Sequence, residues 1–526
     1  MKEPTRINLC KEATTTTCGR FTVRFVPALF LSALLAMAPA AAFGQADVRK
    51  TMGEWAPKFE WPNVPIHVHV LPNGKILFWG RREKGAGLDP RNCIPRLWDP
   101  KEADPKKAFK DLAKPGFNLF CSGHTFLPDG RLLVVGGHIG DGHGEPLATL
   151  YDPENETWTR IDDMNGGRWY PTAVTLPDGS ALASFGSDQP GRLNDSQQVG
   201  QDGHWRNIVN FNAPPLYPRM HVAPDGRVFM SGPLELTQFL DTSGGGAWQL
   251  LNPDQNKSNR INGLRDYAPS VMYDAGKILF VGGGNPPTNA AEIIDLKKAT
   301  PAWQKTAAMR FARRQHNATI LPDGTVLVTG GTQGNGGPNN GFNDLRIGQP
   351  IRAAELWNPE NNQWTVLAEE GVDRCYHSTA VLLPDATVLS GGGGEYRPQD
   401  GDPRENAPED SHRDAQIFSP PYLFTGTTRP DITSAPGEVA YGQSFNVRVS
   451  QPDQVALVTW IRLSTVTHSF NQGQRFNKLE FTSDGTKLAI TAPANRNVCP
   501  PGHYMLFVLS KEKVPSVARI IRIHEP

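Results

Sequence analysis

Arg374-Cys375-Tyr376-His377-Ser378 sets a phenol beside an imidazole, directly ahead of an apolar run, Thr379-Ala380-Val381-Leu382-Leu383, that reads as a strand. Successive strand residues point to opposite faces, so neighbours converge only where the backbone bends, at the strand's start. A phenolate oxygen with an imidazole nitrogen suits Cu(II), which takes mixed N,O tetragonal surroundings. An isolated Tyr-His pair more often just packs a sheet end, so the rest of the chain decides. Asn118-Leu119-Phe120-Cys121-Ser122-Gly123-His124 and Gly167-Arg168-Trp169-Tyr170-Pro171-Thr172 also stand at strand starts. Ser464-Thr465-Val466-Thr467-His468-Ser469-Phe470-Asn471 lies near the C-terminus. A thiol, a second phenol and a second imidazole are therefore on offer. His138 and His143, flanking Gly140, read as part of a flexible glycine-rich loop rather than as metal ligands.

The elements that must position these residues repeat. An apolar strand, a tight turn, a second apolar strand and then glycines recur past residue 60. The turns begin at Leu71, Leu127, Leu176, Ala223, Tyr273, Leu321 and Leu383, between 47 and 62 residues apart, three of them Leu-Pro-Asp-Gly and the others close variants. Pro presets φ, Asp caps the turn and Gly takes the positive φ of a tight hairpin. Double glycines such as Gly136-Gly137 and Gly330-Gly331 let neighbouring units approach. Aromatic pairs seven apart, Tyr151 with Trp158 and Trp357 with Trp364, fill the wedge between them. The period is that of a kelch blade. The expectation is an all-β chain: a seven-bladed kelch-type β-propeller over 47–426, then an immunoglobulin-like β-sandwich over 427–526. In such a ring the innermost strands border the axis, and Cys121, Tyr170, Tyr376 and His377 would gather near one end of it.

Chain-wide properties narrow the function. Lys plus Arg and Asp plus Glu are equal at 53 each, so no charge excess points to nucleic acid or an anionic surface. Arg20 and Arg24 precede an apolar run ending in small residues near Ala46, which reads as an export leader over 1–46. The expected location is secreted, periplasmic or at the cell surface, with no membrane span after leader removal. Cys93, Cys121, Cys375 and Cys499 lie beyond the leader; four cysteines in an exported chain ordinarily suggest two disulfides.

Phe120-Cys121-Ser122-Gly123, Arg168-Trp169-Tyr170, Tyr376-His377-Ser378 before Leu-Leu-Pro-Asp, Gly391 to Gly394, and Thr467-His468 together resemble the galactose oxidase and glyoxal oxidase family, the copper radical oxidases. The resemblance covers both expected domains. It implies one copper ion held by Tyr170, Tyr376, His377 and His468, and a Cys121-Tyr170 thioether that carries a radical. Tyr376 would serve as general base. Cys121, used this way, leaves three cysteines that cannot all pair. The implied reaction oxidises an alcohol, an aldehyde or a carbohydrate with O2 and releases H2O2. Asp188 stands where galactose-oxidising members place a Trp over the thioether, and Gln315 where they place a Phe. Arg260 matches a sugar-contacting Arg by alignment, so Arg260 and Gln315 are the candidate substrate contacts. The competing reading is a non-catalytic kelch propeller acting as a cell-surface or matrix binding module, which explains the repeats and the leader but not the coincident residues.

Overall fold

The computed structural model describes residues 47–83, 93–194, 197–201, 203–334, 343–395 and 411–525. The leader reading over 1–46 lies outside the described residues. The described chain is all-β, with a C-terminal immunoglobulin-like domain.

Seven successive antiparallel sheets form the larger part. Six of them draw four strands each from consecutive chain. The second, for example, runs Gly123–Phe126, Leu132–Val135, Ala148–Asp152 and Thr157–Arg160. In the seventh, Ser378–Leu382, Val388–Gly392 and Asp414–Ser419 take their fourth strand from the N-terminal side, where Glu54 and Trp55 pair with Ser419 and Phe418. The first strands are buried along their whole length, whereas outer strands such as Thr157–Arg160 and Ala247–Leu250 are largely exposed or half-buried. A strand covered on both faces reads as a continuous apolar run, and one with a wet face alternates.

First strands of neighbouring sheets touch. Thr125 Oγ1 meets Thr175 Oγ1 at 2.8 Å, His221 meets Ser270 at 2.8 Å, and Asn317 donates to Ser378 at 3.1 Å. Thr379 Oγ1, in the seventh sheet, donates at 2.9 Å to the Pro65 carbonyl just ahead of the first. Close approach needs the double glycines: a Cβ on Gly136 would strike the Arg168 carbonyl, and one on Gly330 the Arg374 carbonyl. Tyr151 stands directly opposite Trp158, and Trp357 opposite Trp364.

Buried arginines add polar clasps. Arg313 pairs with Glu355, Arg374 with Glu370 at 2.7 Å, and Glu292 receives both Arg260 and Arg265. The C-terminal part packs two sheets over a shared core of Val447, Val458, Trp460, Ile490 and Val508. None of Cys93, Cys121, Cys375 and Cys499 is in a disulfide, which corrects the expectation of two bridges. No helix among the described residues is long and apolar enough to cross a membrane.

Candidate metal centre

One backbone position builds most of the site. Cys121, Tyr170, Tyr217, Tyr267, Gln315 and His377 all have φ between 43° and 66°, the left-handed region, each just ahead of a first strand. Each also stands seven positions before the second residue of the next turn: Cys121 before Pro128, Tyr170 before Pro177, Tyr217 before Pro224, Tyr267 before Asp274, Gln315 before Pro322 and His377 before Pro384. Non-glycine residues avoid this region because Cβ crowds the carbonyl oxygen. The bend at His377 is what brings it together with Tyr376, whose rings lie 3.8 Å apart.

His468 arrives from the C-terminal domain. Thr465–Thr467 pairs with His67–Val70 as an added strand on the first sheet, with Thr467 opposite His67, and Phe470–Asn471 folds back on it. His468 and Ser469 form the two-residue loop between them, both at positive φ (46° and 67°), as the tight primed hairpin turns require. Neither is Gly or Asn, so the turn is strained and presents an imidazole at its tip.

Four donors converge. The Tyr170 and Tyr376 hydroxyls are hydrogen-bonded to each other. The His377 and His468 rings lie 4.8 Å apart and nearly perpendicular, and the Tyr170 ring is 4.6 Å from His468. His377 Nδ1 donates to the Gly394 carbonyl at 2.6 Å, and His468 Nδ1 faces Thr467 Oγ1 at 2.5 Å. Both Nε2 atoms are buried without a hydrogen-bond partner. A buried lone pair left unmet is costly, and two of them beside two phenols fit a cation better than they fit empty packing. Burial holds His377 neutral, down to about 3, and pushes His468 the same way, so the lone pairs are available. Burial, with Tyr376 as the next cause, raises Tyr170 well above the ordinary phenol value. Two imidazoles and two phenols form a donor set suited to Cu(II). Among the described residues no group of three His, Cys, Asp or Glu side chains offers a competing metal site.

Cys121 is buried beside Tyr170: its carbonyl accepts the Tyr170 N–H at 2.9 Å, and its thiol lies in hydrogen-bonding reach of the Tyr170 side chain. Its own N–H donates at 3.1 Å to His67 Nε2, and His67 Nδ1 faces His124 Nε2 at 3.2 Å.

Sequence reasoning missed three aromatics here. Trp169 stacks on one side of Tyr170, with ring centroids 3.6 Å apart and planes 7° from parallel; Tyr217 stacks 4.4 Å away at 26°. Tyr267 stands edge-on to Tyr376 at 5.7 Å. The seven-residue offset from each turn would have found Tyr217 and Tyr267. Asp188, where a stacking Trp was sought, instead accepts the Gly167 N–H at 3.0 Å, and the ring is supplied by Trp169, two residues on from that glycine.

The two candidate substrate contacts separate. Gln315 belongs to the ring of left-handed positions and donates its N–H to the Tyr267 carbonyl at 3.0 Å. Arg260 is fully buried, bound to Glu292 and to the carbonyls of Pro233, Leu234 and Gly263, an environment that commits its guanidinium to holding sheets together. The loop around Gly140 is not merely flexible: His138–Gly140 and His143–Gly144 form a two-stranded arm, and His138 is buried.

Fold and site together point to a class, an all-β oxidoreductase, with two imidazoles and two phenols gathered at one candidate metal site. Residues 258–422 match the family model "Glyoxal oxidase N-terminus" and 429–523 match "Galactose oxidase-like, Early set domain". Galactose oxidase of Gibberella zeae is 30% identical over 509 residues, covering 90% of this chain and 71% of that protein. Aldehyde oxidase GLOX of Vitis pseudoreticulata is 28% identical, covering 77% of this chain and 82% of that protein. Among solved structures, one titled "Novel fungal alcohol oxidase with catalytic diversity among the AA5 family, in complex with copper" is similar with a TM-score of 0.75 and 26% identity, over 90% of this chain and all of that one. The chain belongs to the galactose oxidase and glyoxal oxidase family of copper radical oxidases. It is a copper-dependent oxidoreductase.

Proposed function

We propose that this protein oxidises a primary alcohol, or a small aldehyde as its hydrate, with O2, giving an aldehyde or a carboxylic acid and H2O2. Its single copper ion would be held by Tyr170, Tyr376, His377 and His468. The observation that carries this reading is the pair of buried, unpartnered Nε2 atoms facing two phenols. Copper, when bound, supplies one oxidising equivalent and makes a nearby alcohol hydroxyl more acidic.

The chain's own residues do the rest. His377 and His468 are oriented by their Nδ1 contacts so that Nε2 faces the metal. Tyr376 Oη takes the substrate's hydroxyl proton as general base. Tyr170, joined through a thioether to Cys121, holds the second oxidising equivalent, because sulfur ortho to the phenol oxygen spreads the unpaired electron. Trp169 and Tyr217 cover the Tyr170 ring and exclude water from it. Gln315 and Tyr267 supply the side nearest Tyr376, where the substrate would enter. The loss of Arg260 to an ion pair, with Asp188 and Gln315, leans the substrate toward small aldehydes and simple alcohols rather than galactose.

The seven sheets are best read as the blades of a propeller over 47–426, because the seventh is completed by N-terminal residues and its first strand lies against the first sheet. The domain of 427–526 then serves the site by inserting His468. Export to a secreted, periplasmic or surface location follows from the leader and fits an enzyme that uses O2 and releases peroxide.

Purified protein reconstituted with Cu(II) should release H2O2 from some members of a panel of primary alcohols, aldehydes and carbohydrates, and metal-free protein from none. His377→Ala and His468→Ala should lose tightly bound copper. Equal copper content in wild type and both variants refutes the ligand set, and a silent copper-loaded enzyme across the panel refutes the reaction.

A further inference from the structure

Trp169 is the one ring of the Tyr170 sandwich that is half-exposed, so it separates Tyr170 from solvent. Its backbone is clamped in both directions by Ser187, the Trp169 N–H donating to the Ser187 carbonyl at 2.9 Å and the Ser187 N–H returning at 2.8 Å. Only the side-chain torsions are left to set the indole plane. The indole N–H donates at 3.1 Å to His138 Nδ1.

His138 is built to be that acceptor. It is 4% exposed. Its backbone N–H donates at 3.1 Å to the carbonyl of Asn118, at the head of the segment that carries Cys121. Its ring packs 5.2 Å from Phe120, and its Nε2 lies 3.8 Å from the Asp141 carboxylate. Asp141 in turn meets Arg81 Nη2 at 3.4 Å. A carboxylate on the Nε2 side favours the proton there and leaves Nδ1 as the lone-pair side, the tautomer that accepts from an indole.

We infer that His138 is a positioning residue: through its hydrogen bond to the indole N–H, which also lies within reach of the Cys121 thiol, it fixes the Trp169 ring parallel to Tyr170 as a lid that keeps water and reductants off the radical. The inference rests on the copper-radical reading of the site. It predicts a stable indole plane before any metal binds, and a longer-lived oxidised Tyr170 after it does.

Both can be measured. Wild type, His138→Phe, His138→Ala and His138→Gln are loaded with copper and oxidised by a one-electron inorganic oxidant, which gains the electron Tyr170 gives up. Decay of the tyrosyl absorption is then followed without substrate. Gln can still accept from the indole, whereas Phe fills the space and cannot. Decay should quicken roughly five- to tenfold in His138→Phe, the rate consequence of losing one ordinary hydrogen bond, and stay near wild type in His138→Gln. Copper content should not change. In the metal-free protein labelled with [15N]tryptophan, the Trp169 indole N–H, assigned by its loss in Trp169→Phe, should exchange faster in His138→Phe than in wild type. A wild-type radical whose lifetime survives His138→Phe overturns the inference alone. No radical in the copper-loaded wild type overturns the oxidase reading and the inference with it.

Discussion

Mild acid should unfold the metal-free protein, because several of its histidines are buried without charge. His124, His221 and His377 are each held down to about 3 against an ordinary 6.5, burial being the first cause. A base whose pKa is depressed by folding is protonated first in the unfolded chain. The stability it allows is therefore full above the unfolded value and falls as pH drops from there toward the folded one. Between about pH 7 and pH 5 each such histidine costs about 2 kcal/mol, and the three together about 6 kcal/mol. That is a large share of the roughly 5–15 kcal/mol by which native proteins are stable. His67, His69, His316 and His468 are depressed by burial too and steepen the loss. Glu370 and Glu395, whose carboxyls burial raises, act in the opposite sense and soften it. Urea titrations of chelator-treated protein at stepped pH read the effect directly: the midpoint should fall while the slope stays constant. Copper binds only the neutral imidazoles, so the loaded protein should hold its midpoint to lower pH. A midpoint that does not move over this range would refute the claim that these rings are buried neutral.

Two further outcomes follow from the clasps and the thiol. Glu292→Gln leaves Arg260 and Arg265 buried without a counter-charge and should cost about 3–5 kcal/mol in a thermal or urea melt, with copper content unchanged; an unaltered melt would return Arg260 to the list of substrate contacts. Copper and oxygen should lower the intact mass of wild type by two hydrogen atoms as Cys121 joins Tyr170, and should leave the mass of Cys121→Ser unchanged while it still binds copper. Separate, unlinked Cys121 and Tyr170 peptides from treated wild type would sink the thioether.

The repeat made much of this fold legible. A Pro-Asp-Gly turn is a local chemical instruction, and four of them with three close variants, 47 to 62 residues apart, announce the hairpins without any tertiary information. The paired aromatics seven apart worked for the same reason, since they face each other across a single hairpin. What could not be read was everything decided by sheets distant in sequence. Glu292 lies 32 residues from Arg260, inside the next sheet, and only the folded chain shows that the arginine is spent on it. Trp169 is adjacent to Tyr170 in the sequence, yet their stack is not legible there, because adjacent strand residues normally point apart and a stack between them needs the left-handed bend at Tyr170. His138 looked like loop chemistry because glycines surround it, and those glycines are the places where another backbone passes closely. The cysteine count misled for a simpler reason: an exported chain's average habit says nothing about where four thiols lie.

The set of left-handed residues is the strongest physical argument that they line a site. Six positions hold a Cys, three Tyr, a Gln and a His where glycine would relieve the strain. At about 1–2 kcal/mol each, that is a substantial cost for a family of equivalent backbone bends. Ala386, at the seventh hairpin turn, shows that isolated strain of this kind occurs elsewhere in the chain, and there it carries only a methyl group. At these six positions the strained residues are all ones with donors, thiols or π-systems. Strain argues for function when the surroundings over-determine it. Here the clasping arginines do so: Arg168, Arg265 and Arg313 stand two residues before Tyr170, Tyr267 and Gln315, Arg374 stands three before His377, and each is fully buried. The same repeat that bends the backbone therefore also bolts it down beside the bend. Six copies of one unit thus supply unlike side chains from one backbone position, and Tyr376 and His468 join them from outside it.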